Sequence, residues 1–405
     1  NHGATREAKR LTIAESETVM KIPVLPISSL DAQVLLKTLD GPVVPDSWRG
    51  ALPLTYRMGG DGTVVRLKVE FNWDLVPAYN VIAKYEGSEF PDEWVIRGNH
   101  HDAWVIGAGD PMSGMVTVLE QARACSELIN QGWRPKRTIV FASWDAEEPG
   151  LLGSTEWAEH HAASLQDKAV VYINTAGNSR GFLRLGGSHS LERMAAEVAH
   201  EVIDPQTQIS VSDRLRSKIL VDGSAEARER VESRRDMYLS ALGSGSDYTV
   251  FLQHLGIPTF NVGFGGEGTG GEYHTCFDTF DHFSKFIDPG FDYGIALTKI
   301  CGRLTLRFLD AEVLPFQFVD ASRTYSEYAG ELEKLLVKVR DDIERHNLLV
   351  KGGHLRRAAD PKLTFVNPEP KEPAPHLNFA PLLNALDDLR SASDRYEQSR
   401  ADFFE

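Results

Sequence analysis

The sequence predicts an α/β fold in which a sheet carries helices on both faces, and three observations support this. Between about residues 79 and 309, short apolar runs typical of strands alternate with helical patterns. Residues 1–75 combine helical and strand-like patterns, which is typical of a smaller α/β unit. Residues 312–405 are rich in charged residues and have a helical pattern. The chain has 405 residues, 42% of them apolar, which is enough to bury a large core. We therefore expect domains at 1–75, 76–311 and 312–405.

The expected elements follow in chain order. The first unit should contain an extended stretch, KIPVLPISS, a short helix at Asp31–Leu39 and a strand in TVVRLKVEF. In the central domain, MVTVLEQARACSELI predicts a helix, and strands are predicted in YNVIAKY, EWVIRGN, RTIVFASW and AVVYIN. The last region predicts two helices, SEYAGELEKLLVKVRDDIERH and PLLNALDDLRSASDRYEQSR, around a proline-rich loop at 361–381.

Composition excludes several classes of function. The net charge of −15 argues against nucleic acid or an anionic membrane as partner, because both require basic patches. No apolar run approaches the ~20 residues of a membrane span, and the start, NHGATREAKR, lacks the apolar core of a signal peptide. Cys125, Cys276 and Cys301 are far apart and have no CxxC spacing, so we expect buried thiols.

A first polar cluster follows the apolar run EWVIR. In GNHHDAWVIGAGDPMSG, Asp102 and Asp110 come two and ten residues after His100. Imidazole and carboxylate groups on loops that leave buried strands can converge on a cation, so His100 and Asp110 are candidate metal ligands. A ligating histidine usually donates its other ring N–H, and Asp102 is placed to accept it. The alternative is an ordinary polar turn.

A second cluster follows RTIVFASW, where Asp145, Glu147 and Glu148 stand close together. Adjacent carboxylates repel one another unless a cation or a shared proton compensates. One of them can bind a metal while its neighbour acts as a base, which suggests Glu148 as ligand and Glu147 as general base. The alternative is a first helical turn that is acidic because the helix dipole favours it.

A third candidate is His274, which follows a glycine-rich loop in GEYHTCFDTF. Isolated histidines are common, so this interpretation depends on the other two clusters. A second zinc ion needs a further neutral nitrogen ligand, and His274 is the next one along the chain.

Together these segments resemble the M28 zinc peptidases, in the branch that contains glutamate carboxypeptidase II and the transferrin receptor. The resemblance extends along nearly the whole chain and rests on GNHHDAWVIGAGDPMSG, FASWDAEEPGLLGSTEW, YIN, LGSGSDYTVFLQHLGI and YHTCFDTF. It implies a three-layer, mixed-sheet zinc-exopeptidase domain at 76–311. It also implies part of an apical (protease-associated) domain at 1–75 and an incomplete helical dimerisation domain at 312–405.

The resemblance implies two zinc ions, a peptide substrate and a homodimer. By this resemblance Asp110 bridges the two ions. His100 holds one of them, whereas Glu148 and His274 hold the other. Glu147 matches the general base. The transferrin receptor branch has lost these groups, so their retention here favours peptidase ancestry.

Position 176 departs from the family pattern. These peptidases carry an aspartate ligand after the third strand, in YINAD or YINTD, whereas this chain reads YINTA. A methyl group cannot bind zinc, so the His100 site would keep only His100, Asp110 and water, with the Asn178 amide as a poor substitute. We interpret Ala176 as an inactivating Asp-to-Ala change. The following GNSRGFLRLGGSHS resembles active bacterial members, which favours an engineered change over a natural one.

Substrate contacts are also implied by the resemblance. Ser244, Gly245, Asp247 and Tyr273 match family positions, and Ser246 replaces an asparagine that contacts the terminal carboxylate. The segment after LGI, PTFNVGFGGEGTGG, lacks the arginines that select acidic side chains in glutamate carboxypeptidase II. Further family segments would precede Asn1 and follow Glu405, and the family acts in secreted, periplasmic or cell-surface settings.

Two functions of different classes remain open. The first is a two-zinc exopeptidase, either an aminopeptidase or a carboxypeptidase. The second is a receptor-like or scaffold protein without catalysis. Glu147 has no evident use in a pure binding protein, which favours the enzyme. Zinc content and peptidase activity separate the two functions.

Overall fold

The computed structural model describes residues 11–60, 62–233, 237–268, 270–362 and 365–404. The opening segment NHGATREAKR lies outside the described residues. The described residues divide into two compact units, one that ends at Pro77 and one that begins at Ala78.

The first unit contains one regular helix, α1 (Ser29–Thr38), among its described residues. The Ser28 hydroxyl caps this helix by accepting a hydrogen bond from the amide of Asp31. The strand predicted in TVVRLKVEF is wrong, because residues 63–71 form no strand and Val64 is 90% exposed. The physical reason is that β-branched residues form a strand only where a neighbouring backbone and a core face are available.

The second unit is built on a mixed six-stranded sheet in the order β1-β3-β2-β4-β6-β5. The four inner strands are parallel, and the edge strands β1 and β5 are antiparallel to their neighbours. The strands are β1 (Val81–Tyr85), β2 (Phe90–His100), β3 (Arg137–Trp144), β4 (Ala169–Asn174), β5 (Gly181–Gly187) and β6 (Thr259–Gly266).

Helices connect and cover the strands. They are α2 (Ser113–Asn130), α3 (Leu152–His160), α4 (Ala162–Lys168), α5 (Glu192–Glu201), α6 (Val211–Asp222), α7 (Ala225–Ser233), α8 (Phe280–His282), α9 (Asp292–Asp310), α10 (Phe318–Lys351), α11 (His354–Ala358) and α12 (Ala380–Phe404). Short irregular turns lie at Ala108–Met112, His189–Leu191, Val250–His254 and Phe283–Ile287.

Two apolar cores lie on opposite faces of the sheet, because successive strand residues point in opposite directions. Val95 and Ile139 belong to the core that contains residues of α2, α5 and α9. Their neighbours Ile96 and Val140 belong to the core that contains residues of α3 and α4. The structure is therefore a helix–sheet–helix arrangement, and the α/β fold class predicted from the sequence is confirmed.

The C-terminal region is helical, as predicted, and α10 packs against α12. Phe318 and Tyr396, one from each helix, make an edge-to-face contact. Within the described residues, no helix is both long enough and apolar enough to cross a membrane. Cys125 and Cys301 are buried, but the expectation of a buried Cys276 is wrong, because this residue lies on the exposed loop after His274.

Candidate metal centre and active site

The candidate residues lie at one edge of the sheet, because the inner strands are parallel and their carboxyl ends meet there. His100 is the last residue of β2, Asp145 follows β3 and Thr175 follows β4. The chain that leaves β6 leads to His274. The neighbours of β2 are β3 on one side and β4 on the other. The loops that leave the carboxyl ends of these strands therefore run in opposite directions, and a crevice forms between them.

Five side chains converge in this crevice. His100 Nε2 lies 3.2 Å from Asp110 Oδ1 and 4.0 Å from Glu147 Oε2. His274 Nε2 lies 3.3 Å from Asp110 Oδ2 and 3.2 Å from Glu148 Oε2. Asp110 therefore stands between the two histidines, one on each of its carboxylate oxygens.

The donor set fits a divalent metal such as zinc. The ligand atoms of His100, Asp110 and Glu148 all lie within 4.8 Å of one another. Glu148 Oε1 is buried without a hydrogen-bond partner among the described residues. Asp110 Oδ1 also makes no hydrogen bond there, although His100 lies at ion-pair distance. Buried carboxylate oxygens without donors are costly, and a cation would satisfy them.

The electrostatics of these side chains favour proton uptake. Burial alone would lower the pKa of His100, but hydrogen bonds to Asp102 and Asp110 and the charge of Glu147 raise it to about 10. Burial raises the pKa of Glu147 to about 7, and the nearby carboxylates add to this while His100 opposes it. A carboxyl group with this pKa can both accept and donate a proton near neutral pH.

Asp102 holds the turn that carries both glutamates. Its Oδ1 accepts the amide of Glu147 at 3.0 Å, and its Oδ2 accepts the amide of Glu148 at 3.1 Å. The imidazole Nδ1 of His100 lies 3.0 Å from the Asp102 carbonyl oxygen and 3.5 Å from its side chain. Both the backbone carbonyl and the side chain of Asp102 therefore lie near His100 Nδ1, whereas the sequence predicted a contact with Asp102 alone. Burial opposes the ionisation of Asp102, but its hydrogen bonds keep its pKa below the usual value.

Asp278 makes a similar double contact that sequence reasoning missed. Its Oδ1 accepts the amide of Gly109 at 2.6 Å, and its Oδ2 accepts the amide of Asp110 at 3.0 Å. Asp278 is buried and follows His274 on the same loop. It therefore joins the loop that carries one ligand to the loop that carries another. The segment YHTCFDTF shows that Asp278 lies close to His274 in the chain, but it does not predict the hydrogen bonds to the backbone of Gly109 and Asp110.

Arg97, three residues before His100, was also missed. It is fully buried, and its guanidinium donates to the side chains of Gln121, Thr117 and Thr175. It also donates to backbone carbonyls of β2 and β4. These bonds connect β2, α2 and the end of β4, directly before position 176. A buried arginine in an otherwise apolar strand was a signal in the sequence that this network exists.

The segment with Ala176 passes beside Asp110. An ideal Cβ at Gly177 would lie 3.7 Å from Asp110 Cβ, and one at Gly114 would lie 1.7 Å from the Ala176 carbonyl oxygen. Gly114 therefore allows α2 to begin against this segment. Asn178 is no substitute ligand, because its Oδ1 accepts the amide of Phe264 and its unpartnered atom is the Nδ2 donor.

The family model of peptidase family M28 matches residues 80–287, slightly more than half of the chain. The chain belongs to peptidase family M28. All five converging residues lie within the matched range.

Curated relatives of this M28 chain include carboxypeptidases and aminopeptidases by name. The probable glutamate carboxypeptidase LAMP1 of Arabidopsis thaliana is 36% identical over 341 residues, which cover 82% of this chain and 45% of that protein. Aminopeptidase NAALADL1 of Rattus norvegicus is 35% identical over 346 residues, which cover 81% of this chain and 45% of that protein. The M28 chain thus spans about half the length of the curated relatives it matches.

Solved structures are also similar to the M28 chain. The structure of BSAP, a zinc aminopeptidase from Bacillus subtilis, matches with a TM-score of 0.40 and 19% identity. The match covers 58% of this chain and 52% of that chain.

A cavity of about 1030 Å³ opens onto the candidate metal centre of the M28 chain. Its lining includes Ser244, Gly245, Ser246 and Tyr273, four of the five predicted substrate contacts. Asp247, the fifth, is fully buried and is not among the lining residues. Burial raises the pKa of Asp247 to about 7, although the Ser154 hydroxyl and the charge of His100 oppose the rise.

An arginine reaches the cavity from β5, which lies in the segment GNSRGFLRLGGSHS. The segment after LGI contains no arginine, but Arg184 of β5 lies over Gly265 of β6 and lines the cavity. Its guanidinium donates to the Phe264 carbonyl oxygen at 2.7 Å. Gly265 leaves the space for it, since a Cβ there would lie 2.6 Å from Arg184 Nη2.

Proposed function

We propose that this chain is the catalytic part of a metal-dependent exopeptidase. In this proposal His100, Asp110, Glu148 and His274 hold zinc, and Glu147 is the general base. The observation that carries it is the convergence of these side chains at one cavity, with buried carboxylate oxygens that lack hydrogen-bond donors. The named relatives act as aminopeptidases or probable carboxypeptidases, which agrees with action at a chain terminus.

Zinc, Glu147 and Asp102 have different roles in this proposal. Zinc, when bound, would polarise the scissile carbonyl and activate the attacking water. Glu147 would accept a proton from that water and then donate it to the leaving amine, because its carboxylate faces the candidate centre, 4.0 Å from His100 Nε2, and is not assigned as a ligand. The Asp102 carbonyl accepts the Nδ1 proton of His100, so that Nε2 faces Asp110. Asp102 also fixes the backbone of the turn that carries Glu147.

We also propose that Ala176 weakens one half of the centre. The His274 side has three protein ligands in this assignment, namely Asp110, Glu148 and His274. The His100 side has only His100 and Asp110, because Ala176 has no donor atom. Fewer protein ligands mean lower zinc affinity, so activity that depends on both halves should be low in this chain.

Zinc stoichiometry and peptide hydrolysis test this proposal directly. The purified chain should hold fewer than two tightly bound zinc ions, with the His274 side fuller in anomalous scattering. Ala176→Asp should bring the content close to two and raise hydrolysis by ~10²-fold or more, because a properly ligated metal is required for the water attack. Equal occupancy of both sites in the unchanged chain would contradict the assignment. Two bound ions in Ala176→Asp without cleavage of any peptide library would favour the non-catalytic alternative.

A further inference from the structure

We propose that Asn99 is a positioning residue of the candidate metal centre, because its side chain contacts the neighbours of three ligand positions. This inference rests on the proposed function, since it takes His100 and Asp110 as zinc ligands. Asn99 is the next-to-last residue of β2 and is fully buried. It is not among the residues that line the cavity, so it acts through residues that are.

The amide group of Asn99 contacts three segments of the chain. Its Nδ2 donates to the carbonyl oxygen of His100 at 2.7 Å and to that of Pro111, the residue after Asp110, at 3.4 Å. Its Oδ1 accepts the hydroxyl of Thr175 at 2.5 Å. Thr175 stands directly before the lost ligand position. One amide therefore joins the end of β2, the loop that follows β2 and the end of β4.

Arg97 sets the direction of these hydrogen bonds. Its guanidinium has five N–H groups and no acceptor, and the structure describes five neutral acceptors around it. Arg97 Nη2 donates to Thr175 Oγ1 at 2.9 Å, so the Thr175 hydroxyl keeps its own proton for Asn99 Oδ1. Because the oxygen of the Asn99 amide faces Thr175, its Nδ2 must face the carbonyl oxygens of His100 and Pro111.

Close packing fixes this arrangement. A Cβ at Gly114 would lie 2.4 Å from Asn99 Oδ1 and 1.7 Å from the Ala176 carbonyl oxygen, so glycine is required for α2 to begin beside both. Asn99 and Thr175 are fully buried. An unpaired polar group is costly at such a position, so the loss of one hydrogen bond should displace the segments that the amide holds.

The zinc affinity of the folded chain tests this role. Thr175→Val keeps the shape of the side chain but removes the hydroxyl, so Asn99 Oδ1 loses its donor. Asn99→Asp keeps an acceptor for Thr175 but loses the donor to His100 and Pro111. Both variants should lower zinc affinity by ~10- to 100-fold in competition with a fluorescent chelator, which is the range typical of residues that orient metal ligands. Thr175→Ser restores the hydroxyl and should restore the affinity.

Thr117→Val is the matched control. Thr117 is buried, and its hydroxyl oxygen also accepts from Arg97 Nη2 at 2.9 Å, but it donates to the Gly114 carbonyl oxygen instead of to Asn99. Both valine variants remove one acceptor from Arg97, so both should lower the free energy of unfolding in urea. Only Thr175→Val should lower zinc affinity. An equal loss of zinc affinity in both variants, or no recovery in Thr175→Ser, would assign a purely structural role and overturn the inference.

Hydrogen exchange separates this inference from the proposed function. With a chelator present, the backbone amides of residues 101–111 should exchange several-fold faster in Thr175→Val and Asn99→Asp than in Thr117→Val, because this loop loses its link to β2 and β4. If the unchanged chain binds no zinc, the proposed function fails, and the exchange rates still decide whether Asn99 holds the loop. Unchanged exchange in Thr175→Val and Asn99→Asp would overturn the inference even if Ala176→Asp is an active zinc peptidase.

Discussion

Glu147 and Glu148 are adjacent in the chain, but their surroundings differ. Glu148 Oε2 lies 3.2 Å from His274, whereas Glu147 Oε2 lies 4.0 Å from His100 and is close to no other histidine that the structure describes at that range. Asp102 holds both amides, so the two side chains diverge from one fixed turn. Ala146, directly before them, has a left-handed backbone (φ 55°), which is uncommon for a residue with a Cβ and typical of constrained functional turns.

The two glutamates should therefore respond differently to the same change. In an Ala176→Asp background, Glu147→Gln should lower hydrolysis by ~10²- to 10⁴-fold with zinc retained, because it removes a proton acceptor but keeps the shape. Glu148→Gln should lower zinc content and activity together. The measurements are zinc by atomic absorption and initial rates on a peptide library. Loss of zinc in Glu147→Gln would assign this residue as a ligand instead of a base.

At the scale of elements, the loops that carry the candidate ligands brace one another. Asp102, after β2, holds the turn after β3. Asp278, on the loop after β6, holds the loop after β2 at Gly109 and Asp110. Arg97 of β2 joins Thr175, the residue after β4, to Thr117 of α2. The positions of the ligands thus depend on contacts among four separate connections.

Asp278→Asn should weaken metal binding although Asp278 is not proposed as a ligand. An amide side chain offers one acceptor oxygen instead of two, so one backbone N–H at Gly109 or Asp110 loses its partner. Residues that orient metal ligands typically change affinity by ~10- to 100-fold, and we expect zinc affinity to fall within that range. Competition with a fluorescent chelator measures it.

Asp281→Asn is the matched control, because this carboxylate lies three residues further on, in α8, is 79% exposed and pairs with Lys285. It should leave zinc affinity unchanged. Equal affinities for the two variants would show that the Asp278 contacts do not position Asp110.

At the scale of the whole molecule, the stability of the metal-free protein should fall as pH rises. The pKa values of Glu147 and Asp247 are raised to about 7, and that of His100 to about 10. A group whose pKa is raised by folding binds its proton more tightly in the folded state. Its contribution is present below its unfolded pKa and is lost as pH rises through its folded pKa. The window therefore runs from about pH 4 to 7 for the two carboxyl groups and from about pH 6.5 to 10 for His100.

Urea unfolding with a chelator at pH 5, 7 and 9 measures this effect. We expect the free energy of unfolding to fall by roughly 3 kcal/mol or more across the range, since each of the three groups titrates over about two pH units there and each unit corresponds to about 1.4 kcal/mol. Glu147→Gln should flatten the lower part of the profile. Saturating zinc should reverse the trend, because zinc binds deprotonated ligands. A stability that rises steadily with pH in the chelated protein would contradict this electrostatic account.

The helical region leads to a prediction about assembly. Leu332, Leu335 and Val337 of α10 are about half exposed, and Phe403 of α12 is 65% exposed. Apolar surface of this kind is typical of an interface. We expect a homodimer through α10 and α12, measured by light scattering at micromolar concentration.

Leu335→Glu should shift this equilibrium towards monomer by burying a charge in the interface. Val64→Glu, at an exposed position in the first unit, serves as the control. Monomers alone in the unchanged chain would indicate that these helices only cap their own chain.

The sequence by itself determined the strands whose side chains are buried on both faces, and the identity of the chemical groups at their ends. RTIVFASW and AVVYIN coincide with β3 (Arg137–Trp144) and β4 (Ala169–Asn174), because apolar periodicity is a local property of the chain. The same reasoning failed for residues 63–71, where β-branched residues have no partner strand. Local preference cannot supply a partner.

Only the tertiary structure decided which of these groups meet. The hydrogen bonds of Asp278 join residues that are 168 and 169 positions apart, and those of Asp102 span 45 and 46 positions. These hydrogen bonds cannot be predicted from residue spacing or composition, because they depend on the order of the strands and on the paths of the loops. The chemistry of each residue is local, whereas its neighbours are set by the packing of the whole sheet.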